Sequence, residues 1–130
     1  MPSYQDLRPE EDFDERDYAL IFPKMTVTEK KRTIRNLVRL KGGLKTIPSR
    51  RTEDNLIVAS WNIKEFGHTT QRLPEAYFYI AEIIATFDLV AVQEIKSSVF
   101  DLDIIMRLLG DNWKFLVNDI TNGTDGNSER

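Results

Sequence analysis

The sequence predicts an α/β (α+β) fold. Two short, continuous apolar runs, Leu56–Ala59 and Leu89–Val92, have the length and apolar continuity of strands covered on both faces. Between them, Leu73, Tyr77, Ile80, Ile84 and Phe87 recur every three or four residues, the period of an amphipathic helix. Strand, helix, strand in that order predicts a parallel pair joined by a right-handed crossover. Both strands then end at one edge of the sheet, the edge where open α/β sheets place their ligands.

Each element has its own local warrant. Residues 1–23 hold three prolines, seven acids and two bases, and predict an irregular acidic leader whose Tyr4, Phe13, Tyr18 and Phe22 dock onto the body. Thr26-Val27-Thr28-Glu29 has capping-box spacing, so a helix starts at Thr26. Ile34, Leu37, Val38 and Lys41 follow as a narrow stripe on a basic helix, and Gly42-Gly43 is expected to end it. Residues 44–54 read as a connector, which puts the leader, basic helix and connector in 1–54 and the α/β unit in 55–130. Pro74 suits the first turn of the helix between the strands. After the second strand, Ser98 or Asp101 caps a further helix with Phe100, Ile104, Ile105, Leu108 and Leu109 on its apolar face, stopped by Gly110. Alternation of Trp113, Phe115 and Val117 with Lys114, Leu116 and Asn118 predicts a third strand.

The bulk composition narrows the function classes. With 130 residues the chain makes one domain or part of one, and 41% apolar with 30% charged residues suits a globular protein. No apolar run approaches the ~18 residues of a membrane span. The acidic N-terminus has no apolar core of a secretory signal, which makes a cytoplasmic location the default expectation. Zero cysteines leave neither a disulfide framework nor a thiolate metal site. The net charge of −3 is unevenly spread: residues 1–23 carry −5, residues 24–55 carry ten bases and three acids, and residues 56–130 carry −5. The basic middle block suits a phosphate backbone, although such runs are commonly solvated helix faces.

Asn62 follows the first apolar run and Glu94 the second, so a parallel pair brings both to one rim. An amide oxygen and a carboxylate are hard donors, suited to Mg²⁺ or Mn²⁺ with water and substrate phosphate filling the remaining positions. Turn chemistry at a strand end is the plainer account of the asparagine, and solvation that of the glutamate.

The stretches LIVASWNIKEF (56–66) and DLVAVQEI (88–95) together resemble the endonuclease/exonuclease/phosphatase superfamily, the deoxyribonuclease-I-like fold. Its members open with a strand ending in a W/F-N-I/L motif, and their next strand ends in Q-E. The likeness covers about residues 55–130, and the closing Gly126-Asn127-Ser128-Glu129-Arg130 resembles the start of the family's next strand. It implies that Glu94 holds the catalytic divalent ion, Mg²⁺ or Mn²⁺. Asn62 would sit beside it on the metal shell or the scissile phosphate, with Gln93 and Arg130 as substrate-positioning residues. It also implies half of a four-layered α/β/β/α sandwich and a hydrolytic activity, with a nuclease acting on DNA or RNA favoured by the basic block. A phosphatase acting on a small phosphoester or lipid belongs to the same superfamily. The family's later D-x-N motif, later aspartate and terminal histidine have no counterparts here, and His68 does not stand where the family's general base does. The expected partners are therefore a nucleic acid and the remaining half of the catalytic domain, downstream or on a separate chain. The rival expectation is a half-domain that binds a protein through an open sheet face.

Overall fold

Thr26 starts the first helix as its capping box requires. In the computed structural model, which describes residues 2–9, 20–47, 54–63, 73–93 and 100–116, the Thr26 hydroxyl accepts from the Glu29 amide at 3.1 Å. The Glu29 carboxylate accepts from the Thr26 amide in return. Helix α1 spans Val27–Leu44 and so runs through Gly42 and Gly43, which the sequence reading took for its end. Neither glycine adopts a positive φ, and a Cβ at either would meet open space, so neither forces a turn. The stripe also differs from expectation: Ile34 is 45% and Val38 67% exposed, whereas Lys30, Thr33 and Leu37 face inward. Thr33 fits the interior because its hydroxyl donates to the Glu29 carbonyl at 2.7 Å.

Helix α2, Pro74–Ala85, begins with its proline in the first turn and is the hub of the molecule. Tyr77, Phe78 and Ala81 are wholly buried. Its Glu75, Tyr79 and Glu82 meet Arg32, Asn36 and Lys41 of α1, so three complementary polar pairs set the two helices face to face. Its Ile83 and Ile84, with Phe87 just beyond, look onto Ala59, Trp61 and Val90 of the sheet. Helix α3, Phe100–Leu109, packs Ile104, Ile105, Leu108 and Leu109 into the same core. It stops at Gly110, where φ of +91° is a conformation that favours glycine.

The strands β1, Val58–Asn62, and β2, Leu89–Gln93, pair in parallel on either side of α2 in the chain, as expected. Asp88 fixes where they meet: its carboxylate accepts from the Ile57 amide at 2.8 Å, while its own amide donates to the Ile57 carbonyl at 2.8 Å. From there the register runs Val58 to Leu89 through Asn62 to Gln93. Burial alternates along both strands, so only one face is covered among the described residues. Val58, 57% exposed, and Leu89, 56% exposed, lie on the other face. The expected third strand is absent over residues 113–116; Trp113 turns back to donate to the Gly110 carbonyl and packs on the core instead. The positive-φ turn at Gly110 carries the chain onto the helices, away from a sheet edge.

The leader docks, as its aromatics suggested. A single 3-10 turn at Gln5–Leu7 sits against α1, with Leu7 and Phe22 in the core. Phe22 lies over Tyr77 at 5.7 Å and Phe78 at 5.5 Å between ring centres. The buried Asp6 carboxylate accepts from the Phe22 amide at 2.5 Å, Lys30 donates to the Arg8 carbonyl at 2.9 Å, and Ser3 donates to the Leu108 carbonyl at 2.7 Å. Phe13 and Tyr18 lie outside the described residues.

Candidate functional site

Asn62, the last residue of β1, faces outward because the alternation that half-buries Ala59 and Trp61 and buries Ile63 leaves every second residue exposed. Val58, Ser60 and Asn62 share that outward face. Asn62 is exposed at the carboxyl end of its strand, directly in register with Gln93 at the end of β2. The parallel pairing therefore brings Asn62 and Gln93, the last residues of the two strands, to one rim. Ile63, the residue after Asn62, is buried and anchors the rim to the core.

The register is specific about who meets whom. Asn62 pairs with Gln93 rather than with Glu94. Glu94 follows next in the sequence and lies outside the described residues. Arg130 also lies outside them, as do Lys64, Glu65, His68 and the segment from Gly126 onward. The described residues contain no group of three or more histidine, aspartate or glutamate side chains that could hold a metal. Their contribution to a hard-metal donor set is the Asn62 amide oxygen, which fits Mg²⁺ or Mn²⁺ chemically but carries no charge. The carboxylate of such a set would come from Glu94.

Other charged groups have structural partners. Arg32 grips Glu75 in a two-pronged contact, Nε to Oε2 at 3.0 Å and Nη2 to Oε1 at 2.9 Å. The Arg32 hydrogen bond holds the Glu75 carboxyl below the usual carboxylate range, and burial pushes the Tyr79 phenol, which also donates to Glu75, up. Tyr4 donates to Glu82 and lies 4.7 Å beneath the Lys41 ammonium; burial, then the Glu82 contact, raises its phenol well above the ordinary value. Asp101, read from sequence as a helix-start acid, is fully buried and accepts from the Tyr77 hydroxyl at 2.6 Å. Sequence reasoning missed Asp6, Asp88 and this Tyr77–Asp101 pair. Asp88 alone left a signal, an acid immediately before an apolar run.

No family model, curated protein or solved structure matches the chain. Among the described residues no helix is long and apolar enough to cross a membrane.

Proposed function

We propose that this chain supplies the N-terminal rim of a divalent-metal-dependent phosphodiesterase, a nuclease that hydrolyses DNA or RNA. The observation that carries the reading is the parallel register of Asn62 with Gln93, which sets the end of the WN strand beside the last described residue before Glu94 in the sequence. Asn62 would hold the metal shell or the scissile phosphate through its amide, and Glu94 would be the anionic ligand. Gln93 and Arg130 would orient the substrate. The ion, when bound, supplies Lewis-acid neutralisation of the charge that develops on the phosphate as water attacks. Nucleic acid is preferred over a small phosphoester because lysine and arginine clusters supply the sequence-independent part of backbone binding, and residues 24–55 provide them.

The test is cleavage of plasmid DNA and of RNA with Mg²⁺ or Mn²⁺, with and without EDTA, by the chain alone and with any polypeptide that completes the domain. Glu94→Ala is expected to reduce the rate by about 100-fold or more and Asn62→Ala by about 10–100-fold, the scale on which single electrostatic groups act. Undiminished cleavage by Glu94→Ala removes the metal assignment.

The sheet face that no described residue covers favours a second reading, a half-domain that binds another protein there. Val58 and Leu89 are both more than half exposed on that face. Absence of metal-dependent cleavage in the completed assembly, with a partner protected at Val58 and Leu89, selects it.

A further inference from the structure

Helix α1 carries six bases and one acid, and the fold treats those bases unequally. Lys30 is buried and donates to the Arg8 carbonyl, Arg32 grips Glu75, and Lys41 faces Glu82 at 3.8 Å. Each acid that α2 offers is thus met by a base of α1. Lys31, Arg35 and Arg39 are exposed and form no ion pair with any described residue. They stand four residues apart, so they form one line with steps of about 6 Å along the axis. Like charges at that spacing disfavour the helix, and nothing in the fold returns the cost. Lys24 and Lys45, both exposed, add two more positive charges just beyond the two ends of the helix.

We propose that this outer face of α1 is a docking surface for the phosphate backbone of a nucleic acid, with Lys31, Arg35 and Arg39 as its contacts. The choice of nucleic acid rests on the phosphodiesterase reading, while the surface lies on an element separate from the Asn62 rim. Two of the three contacts are arginines, whose planar fork matches phosphate oxygens. The helix contains no aromatic residue to stack on a base, so the surface reads backbone and not sequence. A lipid interface would use a broad apolar face with tryptophan, phenylalanine or leucine. The exposed apolar groups here are only Val27, Ile34 and Val38.

The experiment is fluorescence anisotropy of a fluorescein-labelled mixed-sequence oligonucleotide, single-stranded and duplex, over a range of salt. The triple variant K31Q/R35Q/R39Q should bind about 10–100-fold more weakly at low salt, and its log–log salt slope should fall by about one for each residue removed. Scrambling the oligonucleotide should change nothing, and Lys114→Gln on the exposed segment after α3 should bind as the parent does. Circular dichroism verifies that α1 remains folded. Unchanged affinity and slope in the folded triple variant overturn the proposal. So does binding to phosphatidylserine vesicles without binding to the oligonucleotide. Metal-dependent cleavage that the triple variant leaves intact, with unchanged affinity, removes this surface and keeps the Asn62 site. Binding through α1 without any cleavage removes the phosphodiesterase reading and keeps the surface.

Discussion

Tyr77 and Asp101 make the most deeply placed polar contact among the described residues: both are fully buried, and the hydroxyl reaches the carboxylate at 2.6 Å. That bond ties the centre of α2 to the first turn of α3, so Asp101 acts as a tether as well as a favourable charge at a helix start. Tyr77→Phe keeps the ring stacked on Phe22 and removes only the hydroxyl. It should cost about 1–3 kcal/mol of unfolding free energy in a urea titration. A loss near zero would mean that the contact contributes nothing net to stability. Asp88 works on the same scale with a different result. Its two contacts with Ile57 set the first step of the ladder, and a one-residue slip would turn Asn62 to the covered face. One carboxylate thus determines whether the WNI segment presents an amide to solvent.

At the scale of elements, α1 and α2 are held by polar pairs as much as by apolar contact. The Arg32 fork stabilises the ionised form of Glu75. Its folded carboxyl is therefore held below the unfolded value, and the contribution is complete above that value and disappears as pH falls through the folded one. The parent should lose thermal stability below about pH 4.3, where an unfolded glutamate takes up its proton. Glu75→Gln should melt a few degrees lower than the parent at pH 7 and converge with it in acid. Parallel pH profiles for the two proteins would rule this out. On the solvent side of α1, Lys31, Arg35 and Arg39 are exposed and form no ion pair with a described residue. The helix thus carries bases that assemble the fold and an exposed line of bases that do not.

On the scale of the molecule, one layer of helices covers one face of a two-stranded sheet. The second face presents Val58, Ser60 and Asn62 beside Leu89 and Ala91. A two-stranded pair is not stable without packing, and among the described residues that packing comes from the helical core on the inner side. An apolar face of this kind attracts a partner. The chain by itself should self-associate with rising concentration in analytical ultracentrifugation, and Val58→Lys with Leu89→Glu should shift it toward monomer. A parent that stays monomeric throughout would show that the face needs no cover.

Local chemistry was enough to specify much of this protein. The capping box at Thr26, the proline opening α2, the stop at Gly110 and the two apolar runs each act within a few residues, so the sequence states them directly. The rim followed from topology, because strand, helix, strand in a parallel sheet brings both strand ends to one edge. Tertiary contacts decided the remainder. Whether Ile34 or Thr33 faces inward depends on where α2 and the leader lie, and helical period alone is satisfied by either. Two glycines without tertiary demands on their backbone stay helical, and Trp113 packs on the core where alternation alone had suggested a strand. Pairing Asn62 with Gln93, and not with Glu94, depended on Asp88 reaching Ile57 across 31 residues of chain, a contact that no local pattern encodes.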